Sequence, residues 1–92
     1  MKLEVIKMPE QFSVNEGAKF RDATYNILKK EATSFELDFL NTHFIDSTGL
    51  GVLVGLYKKC AEVNCKVILK NMNPDVNRVI RMTRLDQIFT IL

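Results

Sequence analysis

Between Phe35 and Lys70 the apolar residues change their spacing twice, and that change limits the class of fold open to the chain. Phe35, Leu37 and Phe39 alternate with Glu36 and Asp38, the period of a half-buried strand. From about Thr48 to Asn64, Leu50, Leu53, Val54, Tyr57 and Ala61 fall on one side of a helix, while Lys58, Lys59 and Glu62 occupy the other. Val67, Ile68 and Leu69 then run together between Lys66 and Lys70, as in an interior strand. A strand, a helix and a strand in succession imply a right-handed crossover, with the helix lying on one side of the sheet.

The flanking segments extend the pattern. Leu3 and Val5 alternate with Lys2 and Glu4 and lead to Ile6 and Met8, a first strand that Pro9 stops. Ser13-Val14-Asn15-Glu16 reads as a capping box, in which the Ser13 oxygen accepts from the N–H of Glu16. The helix after it carries Phe20, Ala23, Thr24, Ile27 and Leu28 on one stripe, and Gly17 marks a close approach of backbones. Residues 41–48 read as a loop. Asn64 suits a left-handed helix terminator. Asn73 and Pro74 open a last helix with Val76, Val79, Ile80 and Thr83 inward, and residues 89–92 form either a strand or packed coil. The expectation is one α/β domain over residues 1–92, with a mixed sheet of about four strands covered by helices chiefly on one side.

Composition excludes several functions. A net charge of +2 is too small to mark a nucleic-acid or anionic-membrane binder. Arg78, Arg81 and Arg84 are spaced as the water-facing side of a helix, without aromatic residues to stack bases. No apolar run is long enough to insert in a membrane, and Glu4 stands where a signal peptide would need an apolar core, so a cytoplasmic protein is expected. Cys60 and Cys65 lack the spacing of a metal site and read as buried thiols, so neither metal nor cofactor is expected. His43 is the one histidine, and with no oriented nucleophile, base and acid in view the chain is not expected to be an enzyme. Phe39, Phe44 and Tyr57 read as packing residues, and Gly51 and Gly55 as a close helix-on-sheet contact.

The segment that carries chemistry is Phe44-Ile45-Asp46-Ser47-Thr48-Gly49-Leu50-Gly51. An apolar approach ends in an acid and two hydroxyls at a strand-to-helix turn, where helix N–H groups lack partners. A phosphate on Ser47 would meet those donors and the partial positive charge of the helix start, while Gly49 and Gly51 keep side chains out of its way. The phosphate would add about −1.5 to −2 beside Asp46. The turn is therefore suited to a switch in which the scaffold tolerates the dianion and a docked protein does not.

Over residues 12–92 the chain resembles the STAS domain, most closely the bacterial anti-sigma factor antagonists. The likeness rests on Phe35 to Phe39, on Asp46-Ser47-Thr48-Gly49-Leu50-Gly51, on Val67 to Asn71, and on Asn73-Pro74-Asp75-Val76 through Phe89. The resemblance implies that Ser47 is the phosphoacceptor and that Asp46, Thr48, Gly49, Leu50 and Asp38 belong to the partner-binding surface. It implies an anti-sigma factor serine kinase as the protein partner, bound while Ser47 is unmodified and released on its phosphorylation, and a phosphatase that reverses the modification. A STAS binding module of a transporter or sensory complex, without a phosphorylation cycle, is the alternative. Two features depart from the family pattern. The N-terminal hairpin is shortened, with no Gly-x-Leu-Asp-like sequence before the first helix, and the resulting sheet edge could support a homodimer. Arg84 stands where relatives often have glycine, and a helix that ends differently is expected there.

Overall fold

The computed structural model describes residues 2–92. Its elements run β1 (Lys2–Lys7), β2 (Gln11–Phe12), α1 (Val14–Lys30), β3 (Thr33–Asp38), β4 (Phe44–Ile45), α2 (Ser47–Glu62), β5 (Val67–Lys70), α3 (Pro74–Met82), a 3-10 turn (Leu85–Gln87) and β6 (Thr90–Ile91). Four strands form the main sheet in the order β1-β3-β5-β6, and β2 and β4 form a small sheet of their own. The α/β class and the four-stranded sheet are as the sequence implies, but the pairing is not mixed. Every strand pair is parallel. The reason is topological: α1, α2 and α3 separate successive strands of the main sheet, and each crossover returns the chain to the same end.

The core lies between the sheet and the helices. Phe35, Leu37, Val67 and Leu69 point into it from the central strands, and Leu53 and Leu56 meet them from α2. On the other face Glu36 and Lys70 form an ion pair at 2.7 Å. The inward stripe of α2 is Gly49, Leu53, Leu56 and Cys60, rotated from the stripe the sequence suggests, and Ala61 is exposed. Gly55 faces α1 and not the sheet, since a Cβ there would lie 2.8 Å from Tyr25 Oη. Gly51 faces open space. Gly17 lies where a Cβ would make ordinary contact, 3.4 Å, with Val52 of α2.

The strand β1 sits in the opposite phase to its simplest reading. Its register sets Glu4 beside Phe35 and Ile6 beside Leu37, so Ile6 and Met8 join the core while Leu3 and Val5 are 54% and 53% exposed. No hairpin precedes α1 among the described residues, because β2 pairs with β4 and not with β1. Asn64 adopts φ 58°, as a left-handed terminator should, and Asn71 adopts φ 60°. Arg84 also lies in the left-handed region, at φ 61°, so the last helix ends with the glycine-like geometry even though glycine is absent. Phe89 is buried, and Thr90–Ile91 pairs with β5 as a short strand. Cys60 and Cys65 are buried, and burial pushes the Cys60 thiol up to about 11, with Cys65 adding to the shift.

Candidate functional site

The loop after β3 is shaped by bonds to two distant segments, Pro9-Glu10 and Asn73. Thr42, fully buried, donates through Oγ1 to the Pro9 carbonyl at 2.7 Å. The backbone N–H groups of His43 and Phe44 both donate to the Glu10 carbonyl. Asn73 donates through Nδ2 to the Thr42 carbonyl at 2.9 Å while its Oδ1 accepts from Val76 N–H, capping α3. The loop therefore contains a strand that period reading overlooks: Phe44–Ile45 lies in register with Gln11–Phe12, with Phe12 and Ile45 inward and Phe44 half exposed.

This pairing delivers the chain to α2. Asp46 is the N-cap, and its Oδ1 accepts from Gly49 N–H at 3.0 Å. Its Oδ2 accepts from the Ser13 hydroxyl, the residue that precedes α1. Ser13 thus does not cap its own helix, and the expected bond from Glu16 N–H to its side chain is absent. The Ser13 hydrogen bond, followed by that of Gly49 N–H, holds the Asp46 carboxyl below the ordinary carboxylate range. With both oxygens engaged, Asp46 is an anionic fixture of the turn and not a base poised over Ser47.

Ser47 and Thr48 follow as the first residues of α2, and both are exposed. The Ser47 hydroxyl makes no hydrogen bond to any described residue. Gly49 is buried and does not open the turn to solvent. A Cβ there would fall 2.3 Å from the Phe12 carbonyl oxygen and 2.8 Å from the Phe12 ring, so the glycine lets α2 start directly beneath β2. Leu50 is half-buried and packs on the core. Asp38 belongs to a separate bond set: its Oδ1 accepts from Asn71 Nδ2 and from Leu40 N–H, each at 3.0 Å, and these bonds lower its pKa.

Two exposed apolar side chains adjoin the residues of the turn. Val14, next to Ser13, is 61% exposed, and Phe44, two residues before Asp46, is 50% exposed. The 8–18 and 38–57 segments that build this end of the domain contain no lysine or arginine. The turn thus combines a free serine hydroxyl, a fixed carboxylate and exposed apolar side chains. Among the described residues no group of three or more His, Cys, Asp or Glu side chains could hold a metal. No helix of the described chain is long and apolar enough to cross a membrane.

The chain is similar to known proteins along most of its length. The STAS domain family model matches residues 4–92. A STAS-domain containing protein of Pseudomonas aeruginosa is 27% identical over 86 residues, which is 94% of this chain and 84% of that protein. The anti-sigma F factor antagonist of Paenibacillus polymyxa is 32% identical over 65 residues, covering 71% of this chain and 56% of the relative. The crystal structure of a candidate anti-sigma factor antagonist from Thermotoga maritima superposes with a TM-score of 0.84 at 27% identity, over 95% of this chain and 77% of that one.

Proposed function

The chain belongs to the STAS domain family and is related to the anti-sigma factor antagonists, and from that premise we propose that it is a protein-binding regulator switched by phosphorylation of Ser47. Unmodified, it docks an anti-sigma factor that is also a serine kinase, freeing a sigma factor. Phosphorylated, it is released, until a phosphatase removes the phosphate. It acts in the cytoplasm and catalyses nothing itself. The observation that carries this reading is the exposed, unbonded Ser47 hydroxyl at the start of α2, beside a carboxylate already committed elsewhere.

In the free protein a phosphate on Ser47 stays in water. The helix start favours it by roughly 0.3–1 kcal/mol, comparable to the screened repulsion from Asp46. Docking removes that water. Covering the dianion together with the Asp46 carboxylate costs several kcal/mol unless each charge is paired, which exceeds what the helix start returns. Asp46, Thr48 and Leu50, with Asp38 further along the same end, contribute to the contact, and Gly49 sets the height of the turn. The proton of the Ser47 hydroxyl has to be taken by a group of the kinase, because both Asp46 oxygens are engaged.

Affinity capture from native lysate, with and without ATP, tests the reading. The expected result is one captured kinase-class protein without ATP, and with ATP a gain of one phosphoryl group on Ser47 and loss of that protein. Capture unaffected by ATP, with Ser47 unmodified, would refute the cycle.

A further inference from the structure

We propose that β1 is the contact strand of a homodimer, in which two copies pair their β1 strands antiparallel about a two-fold axis at Leu3, each Lys2 opposite Glu4 of the second copy. The inference is independent of the Ser47 cycle, since no residue placed around Ser47 lies on β1.

The backbone sets the first condition. Lys2 N–H donates to the Ala32 carbonyl and Met8 N–H to the Asp38 carbonyl, so the even-numbered residues of β1 turn their donors toward β3. By alternation, Leu3, Val5 and Lys7 turn their N–H and C=O groups outward. Over these six residues the outer edge pairs with no strand of the described chain. The other end of the sheet is the two-residue β6, so the long edge is β1. Its register with β3 is continuous, with no bulge and no proline before Pro9 to deter a further strand.

The side chains set the second condition. Leu3 and Val5 stand on the face away from the core, and each is more than half exposed. Three two-fold registers bring Leu3 and Val5 of both copies together while setting outward backbone groups against each other. An axis at Glu4 would place the two Glu4 carboxylates directly opposite, which is unfavourable. An axis at Val5 sets Glu4 against Ile6 and Lys7 against Leu3, leaving each charge without an opposite. An axis at Leu3 sets Lys2 against Glu4 twice, at the closer, non-hydrogen-bonded positions of an antiparallel pair. The two side chains already share a side of the strand, with Lys2 Nζ 3.5 Å from Glu4 Oε1 of the same chain. The dimer converts these two local pairs into an alternating set of four charges on that side, while on the other the two Leu3 side chains meet directly and each lies diagonal to Val5 of the second copy.

Sedimentation of the intact chain over a range of concentrations tests the proposal, with Lys2→Glu, Glu4→Lys and their equimolar mixture. The expected result is reversible dimerisation of the wild type, weakening by about tenfold in each single variant, and recovery in the mixture, where every facing pair is again opposite in sign. A wild type that stays monomeric throughout, variants that dimerise as well as the wild type, or a mixture no better than its components would each overturn it. Thermal unfolding of each variant confirms that it is folded. Oxidation of Leu3→Cys and Val5→Cys fixes the axis. A covalent dimer from Leu3→Cys alone is expected, and one from Val5→Cys alone would overturn the register; Cys60 and Cys65 are buried and contribute little background.

Discussion

The Ser13 hydroxyl donates to the Asp46 carboxylate across 33 positions of sequence, joining the residue before α1 to the residue before α2. Each of the two residues is placed to cap its own helix, yet only Asp46 does so. The bond brings two helix starts to one spot, and it explains why Val14 and Ser47, far apart in sequence, belong to one surface.

Removing that hydroxyl has a pH signature. The Asp46 pKa is lowered in the fold, chiefly by Ser13, so its contribution to stability is present above the unfolded carboxylate range and is lost as pH falls through the folded value. Ser13→Ala is expected to lower the urea midpoint at pH 7 and to converge on the wild type as pH falls through the folded Asp46 value and the carboxylate is protonated in both. Ser13→Thr retains the hydroxyl and keeps the wild-type profile. An offset between Ser13→Ala and wild type that is the same at every pH would contradict this account.

Fold stability and partner binding are expected to separate at Ser47. Asp46 caps α2, so Ser47→Ala shifts unfolding by no more than about 0.5 kcal/mol. Ser47→Asp adds a charge at a helix start, leaving stability unchanged or raised by about 0.3–1 kcal/mol, while weakening the partner complex. A single carboxylate has less charge and fewer acceptor oxygens than phosphate, so release in this variant is partial. Calorimetric unfolding and binding titrations against the partner proposed above measure the two effects.

The two glycines of the motif are expected to respond with opposite signs. Gly49→Ala forces a Cβ against the Phe12 carbonyl and ring and costs about 3 kcal/mol, because the nearest atom is backbone and cannot move aside. Gly51→Ala meets nothing within 4 Å and gains helix propensity of about 0.5–1 kcal/mol. Denaturant titration of the two variants side by side checks the contrast.

Arg84 holds a left-handed conformation at φ 61°. Arg84→Gly is expected to stabilise the domain by about 0.5–1 kcal/mol, the conformational strain relieved less the added freedom of the unfolded chain. Arg84→Ala keeps the strain and gains nothing, so the pair separates backbone geometry from loss of the guanidinium.

Periodicity made the main strands and three helices legible because each buries one face against the sheet or the helices, and burial imposes spacing. It failed where burial is shared differently. The apolar residues of β1 occur at both parities, Leu3 and Val5 against Ile6 and Met8, and only pairing with Phe35 and Leu37 decides which set turns inward. Phe44–Ile45 is too short to show a period and exists as a strand because Gln11–Phe12 lies beside it. The Asp-Ser-Thr-Gly turn was readable as a helix start, but Ser13 was readable only as a local cap. Nothing in the local sequence shows that its hydroxyl would find Asp46 instead of Glu16. Arg84 misled for the opposite reason: the tight passage from α3 into the 3-10 turn takes a left-handed residue there, which local preference argues against.

Asn73 and Thr42 have a consequence for the thermodynamics of association. Because Asn73 grips the Thr42 carbonyl and Thr42 grips Pro9, the loop before Ser47 holds one shape in the isolated domain. A visitor arriving there forfeits little conformational entropy on the domain's account, so a modest contact area can suffice for tight association, and complex formation needs no prior folding step.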